Sequence, residues 1–336
     1  MTKRDDFLSM LKGGKPTKWM GYAFDAFPET PFHCCMDPVS IWDILFIQGE
    51  NVVDNWGVVH RFLPGIDPGI IPLVTEENQV IKDMAKWRDY VTFPELPDDL
   101  DWEGFAAPIK EIDRTETLVM VPTFRGLFER LHCLTTFENC LVYMYTEPEA
   151  CYEFFGAYTD WKLKIAEKIC DYLKPDIIHS HDDWGSKDAP FFSPDKFKEL
   201  LLPHYKRLYD YYKSRGVLIQ HHCDCNIAGF EPHLVELGID MWQGALPEND
   251  ILQVAENTGG AYLMMGGLDQ GTIDKPQTEI TEEQIREHVR AAIDKYAPCG
   301  CWLPCIGGIE CLNTWVNPIV IDECNKYGAE WMAKQA

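Results

Sequence analysis

No apolar run in this 336-residue chain approaches the roughly 20 residues that a membrane-spanning helix requires. The first sixteen residues, MTKRDDFLSMLKGGKP, are charged and amphipathic and carry no apolar core of a secretion signal. Basic residues are scarce, with 30 Lys and Arg against 54 Asp and Glu, for a net charge of -24. That balance excludes nucleic acid, whose phosphates need Lys and Arg, and disfavours an anionic membrane surface. Internal repeats and low-complexity tracts are absent, as is a strand–GxGxxG–helix fingerprint for a dinucleotide. The expectation is a cytoplasmic protein. Cysteine is plentiful, with 13 residues, but a long chain without a secretion signal keeps thiols reduced, and most are expected to be inert core.

What is present divides at about residue 105. The first part is rich in Pro and Trp ("FPETPFHCCMDP", "DNWGVVHRFLPGIDPGIIPL", "YVTFPELPDDLDWEGF"). Proline at this density breaks regular elements, so residues 1–105 read as long ordered loops, a first strand and short helices such as 39–48. From 106 to 336 short apolar runs alternate with helical patterns. "TLVMVPT", "PDIIHSH", "VLIQHHC", "IDMWQGA", "AYLMMGG" and "CWLPCIGG" read as strands. Between them lie helical patterns, among them residues 148–173 and "SPDKFKELLLPHYKRLYDYYKSRG", with Ser193 as cap and Pro194 in the first turn. Seven or eight such units predict a single α/β domain, a (β/α)8 TIM barrel with an elaborated, loop-rich N-terminal region. An open doubly wound sheet is the alternative.

Active sites of such barrels lie at the carboxyl ends of the strands. Those ends carry Arg125; His179, His181, Asp182 and Asp183; His221, His222, Cys223, Asp224 and Cys225; Gln243; Asp269; and Cys305 with Glu310 and Cys311. The stretch "LIQHHCDCNIAGF" (218–230) has two His, two Cys and an Asp in five consecutive positions, a concentration of zinc donors. Alternate strand residues share a face, so either His222 with Asp224 or His221 with Cys223 can address one ligand. Periodicity leaves that choice open. His179 and His181 suit core packing or support of a ligand. Asp182 and Asp183 are candidate catalytic groups, or one caps the following turn. Trp184, Arg125 and Tyr22 are candidates for substrate binding.

The run 175–250, with Asp183-Trp184-Gly185, Ser193-Pro194, Pro203, His222 to Asn226 and "ELGID", resembles the uroporphyrinogen decarboxylase superfamily. "MMGGLDQGTI" and "CWLPCIGG" continue the likeness, which implies a (β/α)8 barrel. The decarboxylase activity on this scaffold implies arginines for a polycarboxylate tetrapyrrole, and the first 130 residues offer only six, none in a paired segment. The other branch, zinc-dependent corrinoid methyltransferases, implies zinc on a His-x-Cys pair and a later Cys. Here it implies His222 and Cys305, with Cys223, Asp224 and Cys225 competing for the remaining place. A literal His-x-Cys match selects His221 and Cys223 instead.

"DNWGV" and "KDMAKWRDYVTFP" look like a subgroup from anaerobes that demethylate methoxylated compounds. The implied function is methyl transfer from a small methylated substrate, foremost an aromatic methyl ether, to cobalt of a corrinoid (cobalamin) on a separate protein. No "DxHxxG" corrinoid segment occurs in this chain. Transfer from the corrinoid protein to a thiol or folate acceptor, a uroporphyrinogen-type decarboxylase, and a barrel that only binds its ligand are the alternatives. A homodimer is compatible with all of them.

Overall fold

The computed structural model describes residues 2–21, 32–43, 51–62, 70–307 and 311–335. Seven strands form one sheet in which every pairing is parallel: β1 (Phe32–Cys34), β5 (Leu118–Thr123), β6 (Ile177–His181), β7 (Leu218–His222), β8 (Met241–Ala245), β9 (Leu263–Gly267) and β10 (Trp302–Cys305). Their spatial order follows the chain order, so each crossover returns beside the strand it left. This is the architecture of the β/α barrel class that the alternating pattern predicts. A separate antiparallel sheet joins β2 (Asn51–Val53), β3 (Val59–Phe62) and β4 (Ile70–Pro72). No helix among the described residues is long and apolar enough to cross a membrane.

The strands are short and buried because helices cover the sheet: all six residues of β5 and all five of β8 and β9 are buried. The 148–173 pattern forms Pro148–Lys168 and continues through a π-helical turn, Ile169–Leu173. The helix expected from Ser193 onwards starts with the Ser193 hydroxyl accepting from Lys196 N–H, but it splits into Pro194–Leu200 and Leu202–Ser214. Pro203 explains the break: its ring removes one N–H and crowds the carbonyl four residues earlier. Of the helix expected at 39–48, Pro38–Asp43 is observed and the remainder lies outside the described residues.

Two additions escaped the periodicity. The 51–72 sheet is made of strands of three or four residues, too short to show a period. The C-terminal helix Val316–Ala333 has apolar residues spread around its circumference and packs against Glu282–Tyr296.

Candidate metal centre

The pleat of β7 settles which histidine faces the mouth. His221 points to the helical layer, where its Nδ1 lies 2.8 Å from the Tyr209 hydroxyl and its ring stacks 4.2 Å from Trp184. His222 points the other way, beside its register partner His181 of β6, with ring centroids 4.4 Å apart. One layer deeper, His179 Nδ1 lies 2.5 Å from Gln220 Oε1, and burial, reinforced by His222, lowers its pKa to about 3. His179 is a neutral floor beneath the pair.

Asp183 completes a cluster at the strand ends. Its Oδ1 lies 3.9 Å from His222 Nε2, and one donor atom each from His181, Asp183 and His222 falls within 4.8 Å of the others. Ligands about 2 Å from a tetrahedral zinc lie roughly 3.3 Å from one another, so modest side-chain rotations close the set.

Both imidazoles are held from behind. His181 Nδ1 sits 2.9 Å from Glu129 Oε1, and His222 Nδ1 is bonded to Gln243 Oε1. Each Nδ1 is therefore engaged and each Nε2 is left for a ligand, the arrangement that fixes metal-binding histidines. Burial opposes charge on His181, but the Glu129 carboxylate outweighs it and raises the imidazole to about 10; Glu129 is held at about 2 against its own burial.

The backbone explains how these groups meet. Glu129 lies in the first turn of helix Leu127–Leu134, immediately after β5. Asp182 anchors that turn from β6: its carboxylate accepts from Phe128 N–H (3.1 Å), Glu129 N–H (2.9 Å), Tyr205 O–H (2.5 Å) and Trp184 Nε1–H (2.9 Å). A Cβ at Gly126 would lie 2.1 Å from Asp182 Cβ and Cγ, so only glycine permits this approach. Gly244, at φ +92, plays the same part in β8, because a Cβ there would meet the Cys223–Asp224 backbone at 2.9 Å. Gln243 is the register partner of His222 across the β7–β8 pairing.

Several sequence candidates take other places. Asp182 is completely buried and serves as the anchor just described, not as a mouth-facing catalytic group; burial and Glu129 raise its carboxyl to about 6. Trp184 is wholly buried among Phe197, Tyr205, His221 and Phe230, so it is core and not a substrate contact. Cys223 turns from the mouth, with its sulfur 2.8 Å from that of Cys225 and accepting from Trp184 N–H. Cys305 stands behind Gln243, whose Nε2 donates to its sulfur (3.6 Å) and to Gly307 O (3.2 Å).

Asp224 adjoins the cluster: its N–H donates to Asp183 Oδ1 at 3.2 Å, and burial raises its carboxyl. Arg125, left-handed at φ +53, directs its guanidinium to Cys133 (3.0 Å) and His60 (3.4 Å). Tyr22 and Glu310 lie outside the described residues.

Glu129 is a contact that no local pattern predicts, and His181, expected to pack or to support a ligand, is a member of the cluster. A signal was present: His181-x-Asp183 and His222-x-Asp224 are the same spacing at the ends of adjacent parallel strands, and His181 and His222 are register partners.

Comparison with known proteins agrees with the fold. The solved structure of a methyltransferase from Methanosarcina mazei superposes with a TM-score of 0.63 at 12% identity, covering 99% of each chain. A uroporphyrinogen decarboxylase from Carboxydothermus hydrogenoformans is 27% identical over 161 residues. That match takes in 44% of this chain and only 40% of the relative's length. The Uroporphyrinogen decarboxylase (URO-D) family matches residues 131–301, just over half of the sequence, and this chain belongs to it.

Proposed function

We propose that this protein is a zinc-dependent methyltransferase that moves a methyl group from a small methylated substrate to the cobalt of a corrinoid on a separate protein. The observation that carries this reading is the His181–Asp183–His222 cluster at the strand ends, with both Nδ1 atoms already engaged. Two imidazoles and one carboxylate, with room left for an exchangeable ligand, are a suitable donor set for catalytic zinc. Bound there, zinc supplies Lewis acidity to the oxygen of an aromatic methyl ether, so that a phenolate leaves more readily.

The chain's own residues do the remainder. Glu129 and Gln243 fix the two imidazoles, and His179 keeps a neutral floor beneath them. Asp224 borders the cluster through its N–H to Asp183 Oδ1, and burial raises its carboxyl. The net charge of -24 would favour encounter with a corrinoid protein that presents a basic patch.

Family membership keeps decarboxylation in view, and the arginines weigh against it. Arg4 and Arg114 bind Asp176, Arg88 binds Glu153, and Arg130 binds Asp43. Arg61 binds Asn51, and Arg125 binds Cys133 and His60. All six arginines of the first 130 residues are thus committed within the chain, where a polycarboxylate tetrapyrrole needs free guanidinium forks.

The test is an anaerobic assay following conversion of free cob(I)alamin to methylcobalamin, with methoxyaromatics, methylamines, methylthiols and methanol in parallel. Zinc-dependent methylation from a methoxyaromatic supports the reading. Decarboxylation of an acidic tetrapyrrole, with no methylation from any donor, overturns it.

A further inference from the structure

Ten of the thirteen cysteines are buried, and two of the three partly exposed ones, Cys299 and Cys301, stand together. Their sulfurs are 3.7 Å apart, with the Cys301 thiol donating to Cys299. The pair precedes β10, at the opposite end of that strand from Cys305 and the metal cluster. Gly300, at φ +77, turns the chain between them, and its N–H bonds back to Ala297 O at 3.1 Å. Pro298 and Gly300 are exposed on either side of Cys299, so a small molecule has access.

We propose that Cys299-Gly300-Cys301 is a thiol–disulfide exchange site that closes into an intramolecular disulfide on reaction with a low-molecular-weight disulfide.

A disulfide requires α-carbons about 4.4–6.8 Å apart, a range that residues flanking one turn glycine satisfy. The sulfurs must close from 3.7 Å to about 2.05 Å, which side-chain rotation in an exposed turn supplies. The hydrogen bond from Cys301 brings the Cys299 thiol down to about 7, and Cys301 is raised in exchange. Cys299 is therefore the attacking sulfur and Cys301 the resolving one.

In the first step the Cys299 thiolate attacks one sulfur of the small disulfide, forming a mixed disulfide and expelling one thiolate. Cys301 then loses its proton to solvent and attacks the Cys299 sulfur, expelling the second thiolate. Two electrons pass from the dithiol to the small disulfide, which leaves as two thiols.

The experiment treats reduced full-length protein, handled anaerobically at pH 7, with oxidised glutathione, followed by alkylation and fragment-ion mapping. Wild type is expected to lose two alkylatable thiols, gain a Cys299–Cys301 bridge and retain no glutathione. Cys301→Ser is expected to hold one glutathione on Cys299, and Cys299→Ser to react about tenfold more slowly, because an ordinary thiol is only a few per cent thiolate at that pH. Full alkylation of both thiols in wild type, a persistent wild-type glutathione adduct, or a bridge elsewhere overturns the proposal.

Discussion

Asp182 and Asp183 are neighbours with opposite fates, and single substitutions separate them. Asp183→Asn should leave stability nearly unchanged and abolish metal binding, since Asp183 is a partly exposed cluster member. Asp182→Ala should leave three buried donors and one partly buried donor unpaired and lower unfolding stability by at least about 3 kcal/mol, at about 1–3 kcal/mol for each buried unsatisfied group. Denaturant unfolding and metal titration of the two variants check both statements.

Glu129→Gln should weaken metal affinity by roughly 10- to 100-fold, the usual consequence of losing a group that orients a ligand histidine. Competition with a chromogenic chelator measures it. The candidate cluster was partly legible in the sequence. His222 and Asp183 stood out by residue type and place, but Glu129 reaches His181 across a strand crossover, and no local pattern announces such a contact.

The 51–72 sheet is held to the rest of the fold around the buried Asp54 carboxylate, and Arg125 also reaches His60. Asp54 accepts from Trp56 N–H (2.8 Å), Val58 N–H (2.9 Å) and His60 Nε2 (2.9 Å), and Arg130 Nη1 lies 3.6 Å away. Burial penalises its charge, but the hydrogen bond from His60 and the Arg130 guanidinium outweigh that and depress its pKa. A depressed carboxylate stabilises the fold above its unfolded pKa of about 3.9, and that stability is lost as pH falls through the folded value.

Wild type should therefore lose stability below about pH 4, and Asp54→Asn should show a shallower acid dependence in the same window. At neutral pH that variant should be less stable by on the order of 3 kcal/mol, as for a broken buried ion pair. Thermal unfolding across pH 3–7 distinguishes the two proteins. The barrel strands were readable because each is a run of buried residues between turn signals. This sheet was not, since one of its anchors is a side chain 76 residues after Asp54, Arg130, which binds both Asp54 and Asp43.

For the whole molecule, the parallel sheet and its helices follow from alternating apolar runs. The site follows only once strand register is known, because register brings His181 beside His222. A metal bound to the folded state alone should stabilise it by RT ln(1 + [L]/Kd), about 4 kcal/mol at a thousandfold excess over Kd, and thermal unfolding with and without zinc reads this as a higher midpoint.

The zinc content of anaerobically purified, zinc-refilled protein decides whether His181, Asp183 and His222 hold a metal. Wild type, His181→Ala, Asp183→Asn, His222→Ala and Cys305→Ser are measured side by side. About one zinc per wild-type chain is expected, retained in Cys305→Ser and lost in the other three variants. Zinc lost in Cys305→Ser but kept in His181→Ala would contradict it and move the metal to the Cys305 side of Gln243; no zinc in wild type would remove the metal centre altogether.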